Sequence, residues 1–306
     1  MLDVYELNVF LVAAENENFS EAARQLSLTQ PAVSMQIRSL EKKLGVDLFY
    51  RAGRSLALTE PGKVLMAMAR DMVNHAIQIE EEIESLKGEV VGHLKIGCST
   101  ATGKYFLPHL AARFRRRYPA VQMTIYNHGR DMVINELCEG AVQLIVVSAP
   151  PACRDVEYRH FFTDNVVLIV PINHPWAERD IITIEELRQA DFILRDHQSG
   201  TREEVEQVLT EVGLTVDDLN VVMEIGNSEA ISMAVEEGMG VAFVSRTVAR
   251  RGIELGKIKE VAVAGLSLKR EVFIAHSLRY PATRAQTEFW KFVQESDNET
   301  LLELAA

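Results

Sequence analysis

With 306 residues the chain exceeds one ordinary domain, and 47% hydrophobic with 25% charged side chains is the balance of a soluble globular protein. The formal net charge of −12 means that any contact with phosphate must come from a local concentration of positive charge. No apolar run approaches a membrane span, and Met1 to Glu15 lacks the basic start and small-residue cleavage site of a secretory signal, so a cytoplasmic protein is expected. Cys98, Cys138 and Cys153 are odd in number and widely spaced, which fits neither a disulfide framework nor a zinc site. Cys98 could sense oxidants from a strand end, but its apolar setting reads as a buried small hydrophobe. No metal or cofactor is expected.

Residues 20–44 read as two amphipathic helices on a short turn. Ser20 is an N-cap candidate, Ala22, Ala23 and Leu26 line one face of the first helix, and the turn falls at Ser27 to Gln30. Thr29 can cap the next helix, Pro31 is tolerated in its first turn, and Gly45 stops it. Val33, Ile37, Leu40 and Leu44 recur at helical spacing and should face the core. Ala32, Ser34, Met35, Gln36, Arg38 and Ser39 are then left on the other surfaces. Gln30, Ser34 and Gln36 can hydrogen-bond base edges, Ala32 can touch a thymine methyl, and Arg38 can reach a phosphate. An ordinary helical hairpin in a bundle would show the same pattern. The next segment tips the balance: Leu48 to Arg51 and Leu56 to Leu58 read as a β-ribbon whose Gly-containing turn places Arg51 and Arg54 near its tip. Residues 22–63 carry seven basic and three acidic side chains, a net of +4, which leaves −16 for the rest of the chain. Positive charge is thus concentrated in one DNA-sized module.

The motifs Phe19-Ser-Glu-Ala-Ala23, Leu28-Thr-Gln-Pro-Ala-Val-Ser34, Ile37-Arg-Ser-Leu-Glu41, Leu44-Gly45, Leu48-Phe-Tyr-Arg51 and Leu58-Thr59 together resemble the N-terminal signature of the LysR-type transcriptional regulators. The resemblance implies an all-α winged helix-turn-helix N-terminal domain, a long dimerising linker helix and an α/β two-lobed, periplasmic-binding-protein-like effector domain. It implies a DNA-reading set of Gln30, Pro31, Ala32, Ser34, Gln36, Arg38, Arg51 and Arg54. Two departures stand out: Ser55 and Ala57 occupy wing places where longer or basic residues are common, and Gln143 stands where the family usually has Asp.

From Pro61, Leu65, Met68, Met72, Ala76, Ile79, Ile83 and Leu86 recur at spacings of three and four up to Gly88, the seam of a helix that pairs with another. A single helix packed on its own domain is the alternative. Beyond it, short apolar strands alternate with helices, the pattern of a parallel sheet flanked by helices. Strands are expected at 94–98, 121–126, 144–147, 166–170, 192–194, 221–224, 241–244 and 272–275, and helices at 106–118, 131–139, 184–189, 202–212, 229–237 and 285–293. The expected division is a DNA-binding domain at 1–60, a linker helix at 61–88 and an effector domain at 89–306. Its first lobe takes about 89–163 and 268–306, and its second about 164–267.

An effector cleft should lie where strands end and helices begin, because free N–H groups and the positive helix end collect there. Cys98-Ser-Thr-Ala-Thr-Gly103, Ser199-Gly-Thr-Arg202 and Gly226-Asn-Ser-Glu229 are such junctions. Ser99, Thr100, Ser148, Thr201, Arg202 and Asn227 are the candidate ligand residues, suited to a small anionic metabolite, while Ser228 reads as a cap alone. Ordinary capping explains the same hydroxyls without a ligand, and Arg195 or Arg202 could simply pair with surface acids. His128 lacks a second ligand at metal spacing. No convincing nucleophile, base or acid set is present, so an enzyme is not expected. The reading is a regulator that binds double-stranded DNA as a homodimer or homotetramer, with RNA polymerase as a further partner and no membrane contact. The alternative is a two-lobed solute-binding protein of transport type, which would have no use for residues 1–88.

Overall fold

A computed structural model describes residues 1–52, 55–99, 101–197, 199–279 and 281–295. The chain divides into two compact units. The first spans Met1–Gly92, joined by Glu139–Ala141 and a short turn before Ala285; the second holds the remainder from His93.

In the first unit, α1 (Val4–Asn16), α2 (Phe19–Gln25) and α3 (Gln30–Leu44) precede a β-ribbon of β1 (Phe49–Ala52) and β2 (Ser55–Leu58), and α4 (Glu60–Ser85) closes the unit. Leu7 and Phe10 of α1, Ala22 and Ala23 of α2, Val33, Ile37 and Leu40 of α3, and Ala69 and Val73 of α4 form one core. The small residues of α2 let three helices cross closely, as expected. Two expectations change. Asn18, not Ser20, caps α2, its side chain accepting from the N–H groups of Ser20 and Glu21 at 2.8 and 3.3 Å. Leu44 is 37% exposed rather than part of the core, because it is the last residue of α3 and the helix outruns its partners. Thr29 caps α3 as anticipated, accepting from Ala32 N–H at 3.3 Å, and Gly45 ends it at φ 72°. Ser27 turns the chain between α2 and α3 at φ 56°, a left-handed conformation that a non-glycine residue adopts only where the surrounding packing holds it.

Glu6 of α1 is buried and accepts from Ser39 Oγ at 2.9 Å and from Lys43 Nζ at 2.7 and 2.6 Å. The Lys43 ammonium holds its carboxyl below the usual 4.5. This pair pins α1 to α3, and it takes Ser39 out of the outward-facing set.

The second unit contains β3 (Gly92–Cys98), which begins at the boundary, α5 (Ala101–Arg117), β4 (Val121–Asn127), α6 (Arg130–Cys138), β5 (Leu144–Val147) and β6 (Val156–Pro171). Then come β7 (Ile181–Ile182), β8 (Asp191–Arg195), α7 (Gly200–Glu211), β9 (Asn220–Ile225), α8 (Ser228–Glu236) and β10 (Ala242–Ser245). α9 (Arg246–Glu254), β11 (Ile258–Val263), β12 (Leu268–Ser277) and α10 (Arg284–Phe292) complete it. Residues 185–189 form a 3₁₀ turn rather than an α-helix.

The sheet is mixed, which corrects the expectation of a parallel one. β3 and β5 run parallel in it, but β12 is antiparallel to both β5 and β6, and β10 and β11 are antiparallel to β6, while β8 and β9 form a separate parallel pair. Strand order is β4-β3-β5-β12-β6-β11-β7, with β10 also on β6. β6 and β12 are long because they pair along ten positions each and run through both lobes. Sequence periodicity caught only Val166–Val170, where side chains are buried on both faces: Val166, Leu168 and Val170 enter one core cluster, Val167 and Ile169 another. The mixed polar stretch before it is paired but half exposed, and so carries no apolar signal.

Cys138, at the end of α6, and Cys153, in the β5–β6 crossover, are disulfide-bonded with Cα atoms 6.1 Å apart. This overturns the reading of three unpaired cysteines: the fold returns the chain past α6, which residue spacing alone does not reveal. Cys98 is not disulfide-bonded and is fully buried, in line with its reading as a small hydrophobe. Among the described residues no helix is long and apolar enough to cross a membrane.

Candidate functional site

The outward face of α3 begins at its capped N-terminus. Gln30, Pro31 and Arg38 are exposed, while Ala32, Ser34 and Gln36 are half-buried. Gln30 Nε2 donates to Ser34 Oγ at 2.8 Å, so the two polar side chains form one presented unit. Met35 is 63% exposed on the same helix. Free N–H groups and the positive end of the α3 dipole point the way these residues do, which suits a polyanion. Arg51 is exposed on β1 and lines, with Ser20, Gln30 and Leu56, a hollow of about 210 Å³. α3 and the ribbon are thereby brought to one surface. β1 and β2 form the expected ribbon, pairing Phe49 with Leu58 and Arg51 with Leu56 in antiparallel register. Arg54 lies outside the described residues.

In the second unit, Ser99 follows β3 and Ser148 follows β5, and the Ser99 N–H donates to the Val146 carbonyl at 3.0 Å. Gly200 opens α7 directly against Ser148: a methyl group on Gly200 would collide with Ser148 Oγ. Ser199 caps α7 by accepting from Thr201 N–H at 3.3 Å. The fold therefore gathers Ser99, Ser148, Thr201 and Arg202 from the ends of two strands and the start of a helix. Thr100 lies outside the described residues.

Charge at this junction is arranged in two layers. Arg202 is 6% exposed; its Nε donates to Glu206, while Nη1 is buried with no protein partner, as is Ser99 Oγ. A buried guanidinium N–H without an acceptor is costly unless some group accepts from it. Behind it, Arg270 of β12 is 4% exposed and Asp164 of β6 is 0% exposed. Arg270 pairs with Asp164 and donates to Thr201 Oγ1 at 2.7 Å, and Ser245 Oγ donates to Asp164 at 2.7 Å. The Thr201 hydroxyl is thus committed to Arg270. Sequence reading missed this network, although Arg270 shares strand parity with Leu268 and Val272 and alternation alone would have turned it inward.

Asn227 is exposed and caps α8 by accepting from Ala230 N–H at 2.9 Å, which reverses the assignment of capping to Ser228. Ser228 is buried and accepts from Arg195 Nη1 at 2.5 Å; Arg195 also holds Asp196 at 3.0 Å. Two ion pairs join elements of the two lobes: Arg130 Nη2 with Glu203 at 2.7 Å and Lys104 with Glu229 at 3.4 Å. Glu203 raises the Arg130 guanidinium pKa above its ordinary value. Gln143, in place of the usual Asp, accepts from Lys95 N–H at 2.7 Å through its amide oxygen and so keeps the hydrogen bond at the sheet end. His128 Nδ1 lies 2.8 Å from Glu136, a surface pairing.

Residues 5–63 match the family model described as the bacterial regulatory helix-turn-helix protein of the lysR family, and residues 87–298 match the LysR substrate binding domain. The chain belongs to the LysR family of transcriptional regulators. Among its relatives is the HTH-type transcriptional activator CmpR of Synechocystis sp., 33% identical over 274 residues that cover 89% of this chain and 88% of CmpR. Among solved structures, full-length CbnR complexed with its target DNA superposes with a TM-score of 0.68 at 20% identity, covering 96% of this chain and 99% of that one. The regulatory domain of Synechocystis CcmR in complex with 2-PG gives 0.59 at 25% identity over 66% of this chain and 95% of that domain. This LysR-type protein is a DNA-binding regulator, not an enzyme, and its fold is the winged helix-turn-helix with a two-lobed α/β effector domain.

Proposed function

We propose that this regulator reads duplex DNA with the α3 face, as a dimer held by α4, and is controlled by a small anionic metabolite between the lobes of the second unit. Gln30, Ser34 and Gln36 meet base edges, Ala32 a thymine methyl, and Arg38, Arg51 and Arg54 the phosphates. In it a DNA-binding domain takes 1–60, a linker helix 61–88 and an effector domain 89–306, with work in the cytoplasm on chromosomal DNA and with RNA polymerase as a further partner.

The observation that carries the effector half is the buried Arg202 Nη1 without a protein acceptor at the N-terminus of α7. An anion there would accept from Arg202 and Ser99, with Ser148 and Thr201 beside it and Asn227 at the cleft margin. Closure would tighten the Arg130–Glu203 and Lys104–Glu229 pairs, and the spacing of the DNA-reading modules would follow. Thermal shift of the full chain against small carboxylates and phosphate esters, with 2-PG among the first because the CcmR domain holds it, is the direct test. A true effector at about a hundred times its Kd should add about 2.7 kcal/mol, a rise of several degrees in Tm, and Arg202→Ala should remove most of it. A panel in which no anion stabilises the protein would sink the effector assignment.

Dimerisation rests on the outer stripe of α4. Met68, Met72, Ile79, Ile83 and Leu86 are 43–82% exposed, while Ala69 and Val73 on the adjoining side are buried. A helix of 26 residues is about 39 Å long, enough for a continuous two-helix seam. Ile79→Asp should convert the dimer to monomer in sedimentation equilibrium. A sedimentation profile unchanged by the substitution would remove α4 from the interface.

A further inference from the structure

We propose that Cys138 and Cys153 form a reversible dithiol–disulfide centre that exchanges with small-molecule thiols and sets the mobility of the crossover carrying Ser148. Three observations converge on this pair. Their Cα atoms are 6.1 Å apart, within the span a disulfide bridges without moving the backbone. Both side chains are half-buried, so a small thiol or disulfide can reach the sulfurs, whereas Cys98 is sealed in the core. The crossover they tie down runs from Ser148, which abuts Gly200 at the start of α7, to β6. A transcription regulator acts on chromosomal DNA, where thiol reductants operate, and a protein disulfide in that setting is transient rather than permanent. This last step rests on the proposed cytoplasmic location.

The chemistry closes without a metal or flavin. The Cys153 thiolate, on the exposed loop, attacks one sulfur of a low-molecular-weight disulfide; its S–S bond breaks, one small thiolate leaves, and a mixed disulfide forms. Cys138, as thiolate, then attacks the Cys153 sulfur and expels the second small thiolate. Two protein thiols and one small disulfide become one protein disulfide and two small thiols, with two electrons passing from the cysteines to the small disulfide. Reduction runs the same steps backwards. In the oxidised state the disulfide anchors the loop to the last turn of α6, where Cys153 Sγ lies 3.9 Å from the Ile134 carbonyl. In the reduced state that anchor is lost.

The test uses the full chain equilibrated anaerobically in mixtures of reduced and oxidised glutathione, quenched in acid, alkylated under denaturing conditions and weighed by mass spectrometry. The expected result is a reversible passage between three and one alkylatable cysteines, reached from either direction. Cys138→Ser and Cys153→Ser should each leave a single glutathione adduct in oxidising mixtures, and Cys98→Ser should leave the exchange intact. Amide hydrogen exchange across residues 148–155 should be about tenfold faster in the reduced protein. A disulfide that persists in excess dithiothreitol, three free thiols in every mixture, or exchange in 148–155 indifferent to the redox state would each overturn the proposal. None of these readouts depends on an effector, so a failed anion screen and a failed redox titration remain separate results.

Discussion

Ala32→Glu is expected to weaken DNA binding by about 30- to 100-fold while leaving the first unit at least as stable, a split between function and fold that few other positions offer. Ala32 is the third residue of α3, with Thr29 as its cap. A glutamate there completes the Thr-x-x-Glu capping box and sits favourably at the positive end of the helix dipole, gains of a few tenths of a kcal/mol or more. In the groove the same carboxylate meets phosphates and base acceptors with like charge and replaces a methyl contact, a loss of about 2–3 kcal/mol. Urea unfolding and fluorescence anisotropy on the same preparation would measure both signs. Should the variant bind DNA as the parent does, α3 is not the reading helix. Should it unfold earlier, the cap geometry has been misassigned.

Arg270→Met should cost about 3–5 kcal/mol of stability, a large loss for a single substitution. The reason is the environment of Asp164, which is fully buried and whose paired guanidinium would be gone, leaving a buried carboxylate without its counter-charge. The Thr201 hydroxyl would lose its donor in the same step. Adding Asp164→Asn should restore much of the loss, because the charge that Arg270 neutralised is no longer there, and the double-mutant cycle isolates the pair. A single substitution costing under about 1 kcal/mol by chemical denaturation would show that the network contributes little. Because Thr201 follows Gly200 at the head of α7, the same variant should also blunt any anion-induced shift.

Much of the first unit was legible because it is built from local rules. Thr29, Pro31 and Gly45 act within a few residues of themselves, and Val33, Ile37 and Leu40 declare the buried side of α3 by spacing alone. The cap of α2 went to Asn18 rather than Ser20 because either side chain can accept from nearby N–H groups, and propensity ranks them alike. In the second unit the strands with apolar runs were found, whereas α9, β11 and the first half of β6 were not. α9 is amphipathic but only nine residues long, too short for a helical period to stand out, and early β6 is half exposed and shows no apolar alternation. The candidate cleft shows the same division. Ser99, Thr201 and Arg202 stand out at strand–helix junctions, but Arg270 and Asp164 lie more than a hundred residues apart, and nothing local announces that they meet.

What the amino-acid order determined by itself is the kind of protein: a capped, wing-bearing reading helix with a net positive charge, a long helix with an apolar stripe, and an alternation of strands and helices. Each follows from interactions between residues close in sequence, where spacing and side-chain type fix the outcome. Only the tertiary structure decided that β6 and β12 run antiparallel through both lobes, that Arg270 engages the Thr201 hydroxyl, and that Cys138 meets Cys153. Those depend on contacts between distant segments, whose partners are chosen by how the whole sheet packs.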